Sequence, residues 1–250
     1  MTALVSAGRR VLPRGYADFA LQIAIWLGFY WAYQAVRGYA DRDVGLAFEN
    51  ARRVVDVEQQ VGSLWELSLQ SVVESSQTLI QLTSWTYWLS QFTVLGLTLL
   101  YVYLRRNEAF TRFRNTILVA NLIGLAGYAI MPTAPPRMLP DLGFVDTLAV
   151  FSAVNHSSAA IESASNPYAA MPSLHAADAL IVGVTMALLV RHRPFKVLWL
   201  AWPLWVWFAV MATANHFWLD IAAGVLVAAV AAGVLELSSR RGRRAAARLA

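Results

Sequence analysis

The chain has 250 residues, of which 58% are hydrophobic and only 14% are charged. Soluble domains carry about 25% charged residues, so this composition excludes an ordinary soluble globule and indicates a polytopic membrane protein. The net charge of +5 comes almost wholly from arginine, and the absence of cysteine excludes disulfides and thiolate metal sites. In a membrane protein such basic residues indicate orientation, so we do not expect a nucleic-acid partner.

Six apolar stretches have lengths in or near the range that crosses about 30 Å of hydrocarbon. We predict that all six are helices, because an isolated strand would leave its backbone unpaired in lipid. The first stretch is longer than the apolar core of a signal peptide, and we expect it to be retained. The fold class is therefore all-α, with six transmembrane helices in one bundle and a single integral-membrane domain over residues 1–250. The predicted spans are residues 16–36, 84–104, 116–131, 174–190, 195–213 and 217–237.

The basic residues are distributed unevenly among the connections between these spans. Fifteen of the 20 lysines and arginines lie in the two terminal segments and in the connections after the second and fourth spans. Since cytoplasmic connections are rich in basic residues, we predict that both termini are cytoplasmic. The connections that precede the second, fourth and sixth spans then lie on the outer face of a plasma membrane.

Residues 40–75 form one of these outer connections. Apolar side chains recur there at steps of three and four residues, and charged groups occupy the opposite face, which predicts an amphipathic helix in the outer interface. Gly62 and Ser63 are a plausible break in that helix. The segment either covers the bundle as a connector, or it lines a lipid entrance or contributes an arginine to a site.

Three polar motifs fall at the predicted outer ends of the spans. They are "MPTAPPRMLPD" after the third span, "MPSLHAAD" at the start of the fourth and "ANHFWLD" at the start of the sixth. The outer connection 132–172 between the first two motifs is about 40 residues long, enough for a lid. The motifs are distant in sequence but occupy one depth, so we predict that they form one site. Their candidate residues are Arg137, Ser173, His175, Asn215, His216 and Asp220.

His216 and Asp220 are four residues apart at a helix start and therefore share one face. A carboxylate inside a span is costly and usually has a partner, which we expect to be the imidazole. A carboxylate that holds one ring N–H makes the other ring nitrogen a better base or nucleophile. Alternatively, the pair is a structural hydrogen bond that pins the end of the helix.

Ser173 is a plausible N-cap for the fourth span, whose first turn carries His175. The fourth and sixth spans both begin on the outer side, so we expect their free N–H groups to favour an anion there. Arg137 in its proline-rich loop is either a bidentate phosphate clamp or a surface arginine that binds loop carbonyls. Asp178 shares a face with His175 and either steadies that ring or faces the bundle interior.

The phrases "PTAPPR", "NPYAAMPSLHAA" and "ANHFWLDIAAG", in this order on a six-helix frame, resemble the type 2 phosphatidic acid phosphatase superfamily. Within it, the chain looks most like the branch of the fungal inositol-phosphorylceramide synthase catalytic subunit. The resemblance implies that His216 attacks phosphorus, Asp220 orients it, and His175 protonates the leaving oxygen and then activates the acceptor. Arg137 and helix amides would stabilise the phosphoryl oxygens, and no metal or organic cofactor is expected.

The chain departs from the general superfamily pattern at four positions. Ile130 and Val210 replace an expected lysine and arginine, Met138 replaces a proline, and Leu174 replaces the glycine before the histidine. A phosphoryl group with one arginine is poorly neutralised. Either the substrate is a singly charged diester, or other cations contribute, and we take Arg52 and Arg53 as candidates for that role.

The predicted function is that of a membrane-embedded lipid phosphatase or phosphotransferase that uses a phosphohistidine intermediate. Of the two reactions, headgroup transfer is the one that we favour. Its partners are a phospholipid or polyprenyl phosphate and the bilayer itself. Alternatives are a polyprenyl diphosphate or phosphatidate phosphatase and, in another class, a metal-binding or transport membrane protein. The sequence names neither the lipid nor the oligomeric state.

Overall fold

The computed structural model of the chain describes residues 12–40, 43–151 and 166–249. These residues form ten α-helices, and a π-helical turn, Ser90–Val94, joins the fourth helix to the fifth. The described part of the chain contains no β-strand beyond one isolated bridge. The predicted all-α class is confirmed. The helices are α1 (Gly15–Ala40), α2 (Val44–Gln60), α3 (Glu66–Glu74), α4 (Gln77–Leu89), α5 (Leu95–Arg105), α6 (Asn107–Ile130), α7 (Thr147–Phe151), α8 (Leu174–Leu189), α9 (Arg193–Ala212) and α10 (Trp218–Leu249).

Five helical segments of the described chain are long and apolar enough to cross a membrane: α1, the continuous α4–α5 segment, α6, α9 and α10. The protein is therefore a multi-pass helical membrane protein. The apolar helix α8 has 16 residues, which at 1.5 Å per residue gives a length of about 24 Å. It is shorter than the other five, and the count of six spans stays a prediction.

Helix α8 contacts α6, α9 and α10, and most of its side chains are buried. Close contact with α10 depends on Gly224, because a Cβ at that position would lie 2.2 Å from the carbonyl oxygen of Ser173. Gly183 makes similar room for α9, since its Cβ would meet the Trp199 carbonyl oxygen at 2.6 Å. Small residues at these crossings bring the start of α8 against the start of α10.

The amphipathic segment forms two helices, α2 and α3, which are separated at the break expected at Gly62 and Ser63. Helix α2 begins at the N-cap Asp43, whose side chain accepts a hydrogen bond from the Leu46 N–H, and buries one apolar face. It ends before Gly62, where φ is +66° and glycine is the residue that adopts this conformation freely. Its Asn50 side chain donates to the Pro132 carbonyl at 2.8 Å, so α2 packs on the loop after α6. Its depth in a bilayer stays a prediction.

The connection between α6 and α8 is described at both ends, whereas residues 152–165 lie outside the described residues, as do Arg9, Arg10 and Arg42. Two 3₁₀ turns, Pro136–Met138 and Pro140–Leu142, follow α6. Thr133 and Ala169 form a parallel bridge, in which the Ala170 N–H donates to the Thr133 carbonyl at 3.1 Å. This bridge joins the two ends of the connection beside the starts of α8 and α10.

Candidate active site

Backbone hydrogen bonds bring the three polar motifs together. The Arg137 N–H donates to the Ala214 carbonyl at 2.8 Å, which ties the first motif to the third. The Ser173 N–H donates to the Asp220 carbonyl at 2.9 Å, which ties the second motif to the third. Ala214 has φ +54°, a costly left-handed conformation for a residue with a side chain. The first motif therefore holds the turn before α10, and the second motif holds the first turn of α10 itself.

The two motif histidines are neighbours. The ring centroids of His175 and His216 lie 5.6 Å apart, with an angle of 58° between the ring planes. Tyr87 of α4 stacks on the His175 ring at 4.5 Å and 20°. His216 is only 4% exposed. A tetrahedral group of phosphate size can therefore contact both imidazoles at once.

One nitrogen of the His216 ring is already occupied. Its Nδ1 lies 2.9 Å from the Ala170 carbonyl oxygen and 3.4 Å from Oδ2 of Asp220. Both neighbours only accept hydrogen bonds when Asp220 is ionised, so Nδ1 carries the proton. This tautomer leaves the lone pair on Nε2. The predicted His216–Asp220 pair is present, but the backbone carbonyl is the closer partner of the ring.

Asp220 is itself fully buried and held by the backbone. Its Oδ2 accepts a hydrogen bond from the Phe217 N–H at 2.8 Å. This contact closes the first turn of α10 and fixes the carboxylate beside His216. Asp220 thus has two contacts, one with the ring and one with the helix start.

Arg137 lies at the same site and is held from two sides. Its Nη1 donates to Oδ1 of Asn215 at 2.5 Å, and its Nε lies 3.7 Å from Oδ2 of Asp146. Asn215 is oriented in turn, because its Nδ2 donates to the carbonyl and to the hydroxyl of Thr213. Asn215 therefore orients Arg137, while the guanidinium keeps further N–H donors for an anion.

Ser173 is the N-cap of α8, as its position in the sequence suggested. Its hydroxyl accepts a hydrogen bond from the Ala176 N–H at 3.2 Å, and the residue is fully buried. Ser173 is also absent from the cavity lining. The Ser173 hydroxyl therefore caps α8 beside the site and contacts the helix backbone instead of the cavity.

Leu174, which replaces the glycine of the superfamily pattern, is accommodated by a glycine elsewhere. A Cβ at Gly124 of α6 would lie 2.5 Å from the Leu174 side chain. The missing side chain on α6 provides the room that Leu174 needs. The substitution therefore changes the packing of α8 on α6 and leaves His175 at the site.

The expectation that the N-terminus of α10 offers free N–H groups to an anion is wrong. Its Trp218 N–H donates to Glu66 at 2.6 Å and its Leu219 N–H donates to Glu58 at 3.1 Å, while Asp220 takes the Phe217 N–H. Carboxylates of the chain itself occupy this helix start. The N–H groups of Phe217, Trp218 and Leu219 are therefore not free to bind a phosphate.

Glu58 and Glu66 are completely buried, and each has one oxygen without a hydrogen-bond donor among the described residues. Burial, together with the neighbouring Glu66 charge, raises the pKa of Glu58 to about 8. Burial also raises the pKa of Glu66. A proton retained on one carboxyl supplies the missing donor, so two buried acids can share one proton beside α10.

The structure does not bring Arg52 and Arg53 to the histidines. Arg52 pairs with Asp141 at 2.7 Å and Arg53 pairs with Glu49 at 2.6 Å, and both side chains are more than half exposed. Both lie on the solvent face of α2, since its opposite face packs on the loops. Neither lines the cavity described below, so the idea that they replace the missing cations loses its structural basis.

The two positions that lack the expected cations have ordinary structural roles. Ile130, at the end of α6, is 81% exposed, and Val210 of α9 is fully buried. Val210 also accepts hydrogen bonds through its carbonyl from the N–H groups of Asn215 and His216. Within the described residues, Arg137 is consequently the only arginine or lysine that lines the cavity at the histidines.

A cavity of about 330 Å³ opens at the two imidazoles and extends between α1, α4 and the π turn. Its polar end carries Arg137, His175, Asn215 and His216. The rest of its wall is largely aromatic. The cavity therefore joins a cationic, hydrogen-bonding end to an apolar interior. The aromatic residues of the wall are Trp26, Phe29, Tyr30, Tyr33, Tyr87, Trp88, Phe92 and Tyr128.

Metal binding is the alternative that the two histidines and Asp220 had left open. No group of three histidine or acidic residues in the described ranges is arranged to hold a metal ion. Asp220 faces the same His216 nitrogen that contacts Ala170, so the acid and the ring contact each other instead of a common centre. This arrangement does not favour the metal-site alternative.

Sequence reasoning missed several residues that shape the site. Asp146 lies in the long connection and faces Arg137, and Tyr87 lies in an apolar stretch and stacks on His175. Glu58 and Glu66 were assigned to the polar face of an interfacial helix, yet both are buried against α10. None has a local sequence signal, because each acquires its role from a contact with a distant element.

The fold and this site define a class: a multi-pass helical membrane protein with two histidines, an aspartate and an arginine at the polar end of an apolar cavity. The model of the PAP2 superfamily matches residues 52–234 of the chain, and the chain belongs to that superfamily. The resemblance inferred from the three motifs is confirmed.

The chain is also similar to phosphoinositol dihydroceramide synthase of Bacteroides thetaiotaomicron, with 28% identity over 135 residues. The similar region covers 48% of this chain and 44% of that relative, so the chain matches less than half of the relative's length. No solved structure matches the chain. Together, the superfamily and this relative support an enzyme of the membrane lipid phosphatase or phosphotransferase class.

Proposed function

We propose that the protein transfers a phosphate or phospho-headgroup of a membrane lipid through a phosphohistidine on His216. The observation that carries this proposal is the His216 ring, whose Nδ1 contacts Ala170 and Asp220 while its neighbour His175 lies 5.6 Å away. Such a ring has its Nε2 lone pair available as a nucleophile. The active site lies on the outer face of the plasma membrane, with both termini in the cytoplasm.

In the first step, Nε2 of His216 forms a bond to phosphorus and the bond to the leaving oxygen breaks. Protonated His175 gives its proton to that oxygen, and the negative phosphoryl group beside it favours the protonated ring. In the second step, His175 accepts a proton from water or an alcohol as that oxygen attacks phosphorus and the N–P bond breaks. Asp220 and the Ala170 carbonyl stabilise the charge on the His216 ring, and Arg137 contacts the equatorial oxygens.

Headgroup transfer is supported by the small number of cations at the site. Arg137 is the only basic side chain in the described cavity lining, and a phosphodiester carries one negative charge, whereas a phosphomonoester approaches two. The name of the Bacteroides relative points the same way. Hydrolysis of phosphatidate or a polyprenyl diphosphate is the second candidate, since water and an alcohol need the same residues.

Purified protein tested on phosphatidate, a polyprenyl diphosphate and phosphatidylinositol with a lipid alcohol would decide between the two candidates. Released phosphate and new phospholipid are followed together. We expect a new phospholipid from the third mixture and at least about a 10⁴-fold loss of turnover in His216→Asn, which keeps a donor at the Nδ1 position. His192→Ala, at an exposed histidine before α9, is the matched control. Equal turnover by His216→Asn would contradict the proposed role of His216.

A further inference from the structure

A negative charge lies beside the only arginine of the described cavity lining. Asp146, in the connection between α6 and α8, has its Oδ2 3.7 Å from Nε of Arg137, and the two side chains are 31% and 14% exposed. Asp146 itself is not part of the described cavity lining. The mechanism above therefore uses Arg137 and gives Asp146 no role.

The Asp146 carboxylate is held at both of its oxygens. Its Oδ1 accepts a hydrogen bond from the Ala149 N–H at 3.0 Å, in the first turn of α7, while its Oδ2 faces Arg137. An ionised carboxylate only accepts hydrogen bonds, so these two contacts suit the charged form of the side chain. The backbone of α7 thus sets the orientation of the carboxylate independently of what Arg137 binds.

The backbone on either side of Asp146 is held by a buried glutamine of α3. The Gln70 Nε2 donates to the Val145 carbonyl at 2.6 Å and to the Thr147 hydroxyl at 2.8 Å. In return, the Gln70 Oε1 accepts a hydrogen bond from the Val145 N–H at 3.2 Å. Gln70 is 3% exposed and Thr147 is fully buried, so water does not compete for these hydrogen bonds. The position of Asp146 is therefore set by α3 as well as by α7.

Apolar contacts hold the same segment on the bundle. Phe144 is buried and packs edge-on against Phe217, with ring centroids 6.1 Å apart and an angle of 85° between the planes. Leu148 of α7 is fully buried, and α7 packs on α4. Asp146 lies in the sequence between these two buried side chains. An anion that approaches Arg137 consequently meets a carboxylate that is fixed in place.

The fixed carboxylate changes the charge that an anion meets. An anion on the same guanidinium lies on the order of 6 Å from the Asp146 carboxylate, within the Debye length of about 8 Å at physiological salt. The attraction by Arg137 and the repulsion by Asp146 both scale with the charge of the anion. A second charge on the anion therefore gains little at this pair, while the cost of removing the anion from water increases.

We propose that Asp146 is a specificity-determining residue, a fixed counter-charge that makes the site discriminate against doubly charged phosphate groups. This inference rests on the proposed function for the placement of the phosphorus group at Arg137. A doubly charged ligand, such as a phosphomonoester or free inorganic phosphate, competes poorly for Arg137 while Asp146 is charged. Gln70 is a positioning residue that holds Asp146 beside the guanidinium.

The test measures the binding of two small probes to the detergent-solubilised full chain by phosphorus NMR titration. Methyl phosphate, with a second pKa of about 6, carries nearly two charges at about pH 7.5, whereas dimethyl phosphate carries one. Asp146→Asn keeps an oxygen for the Ala149 N–H and removes the charge. We expect this variant to bind methyl phosphate about tenfold and dimethyl phosphate about threefold more tightly, because the Coulomb energy doubles with the charge of the probe.

Asp141→Asn is the matched control, since it makes the same change of charge in the same connection, where Asp141 pairs with the exposed Arg52. It should leave both affinities unchanged. At about pH 5 methyl phosphate carries one charge, so its gain in Asp146→Asn should fall to about threefold. His175 and His216 are present in both proteins, so the ratio of the affinities isolates the charge of the probe. Asp146→Ser, which also keeps a capping oxygen, should reproduce these ratios.

Equal gains for the two probes, or no gain for either, would overturn the proposal, as would the same gains in Asp141→Asn. If Asp146 only oriented Arg137, Asp146→Asn would bind both probes more weakly, and that result would also overturn it. Neither probe is a lipid and binding requires no turnover, so failure here is distinct from failure of the proposed function. The predicted ratios in protein that transfers no lipid phosphate would contradict that function and support the role of Asp146.

Discussion

Arg137 has contacts that a lysine cannot reproduce. Its guanidinium binds Asn215 through one nitrogen and faces Asp146 through another, and it still has donors for a phosphoryl oxygen. A lysine ammonium is a single point charge and cannot keep both contacts and bind an anion with the same geometry. The sequence identified Arg137 as a candidate, but its contacts with Asn215 and Asp146 depend on the fold and could not be predicted.

We therefore expect Arg137→Lys to lower kcat/KM about 100-fold, since the charge remains but the planar fork is lost. Steady-state kinetics with the lipid substrate measure this change. Arg52→Lys is the matched control, because Arg52 is an exposed residue in an ion pair away from the cavity, and it should keep full activity. An Arg137→Lys enzyme as fast as the unchanged one would show that the fork does not contact the transition state.

The turn between α9 and α10 gives a similar prediction for Asn215. Asn215→Ala removes the acceptor for Arg137 while leaving both histidines in place. We expect a smaller loss than for Arg137→Lys, about tenfold in kcat/KM, because the arginine remains but is less well oriented. A variant with unchanged kinetics would indicate that Asp146 alone is sufficient to hold Arg137.

At the scale of elements, the first turn of α10 is held by acids from α2 and α3. Glu58 and Glu66 accept hydrogen bonds from the Leu219 and Trp218 N–H groups and are buried. This contact couples the amphipathic helices to the helix that follows His216. The segment predicted as a connector or as the source of an arginine thus supports the position of the site through two glutamates.

This coupling should make stability depend on pH. The pKa of Glu58 is about 8 in the folded protein and 4.5 in the reference state, so the folded protein holds its proton more strongly. The contribution is fully present below pH 4.5 and is lost as pH rises through about 8. We expect the thermal unfolding midpoint in detergent to fall over this window, and Glu58→Gln, which resembles the protonated acid, to flatten the decline. An equal decline in Glu58→Gln would exclude Glu58 as its source.

The crossing of α8 and α10 gives a test of packing. Gly224→Ala places a Cβ within 2.2 Å of the Ser173 carbonyl oxygen, so the two helix starts must separate. We expect a loss of about 1–3 kcal/mol in the free energy of unfolding, together with lower turnover. Gly233→Ala on the same helix is the control, because nothing lies within 4 Å of its Cβ. Equal stability of the two variants would show that the helices are not in close contact at Gly224.

For the whole molecule, the sequence predicted the helical class, the membrane and the family because these follow from composition, periodicity and local motifs. It also placed His175, His216, Asp220 and Arg137 in one site. The spans alternate in direction, so the three motifs that carry these residues were predicted at the same outer end of the bundle. It could not predict that Glu58 and Glu66 occupy the N–H groups of α10. That contact joins residues about 150 positions apart and depends on the packing of α2 and α3.

The orientation of Arg52 and Arg53 also could not be predicted from the sequence. Arg52 and Arg53 were the nearest basic residues on the predicted outer side, but helical phase places them on the exposed face of α2. Their position in the sequence predicted the side of the membrane on which they lie, but it did not predict the direction in which their side chains point. The site consequently relies on one arginine among the described residues, which is the physical basis for expecting a singly charged phosphodiester.

The measurement that tests the central claim most directly is the stereochemical course at phosphorus during turnover, with a substrate made chiral at that atom by isotope or sulfur labelling. Transfer through a phosphohistidine on His216 consists of two displacements, each of which inverts the phosphorus centre. We therefore predict net retention of configuration in the product. Net inversion would show that the acceptor attacks the lipid directly, and it would contradict the covalent role assigned to His216.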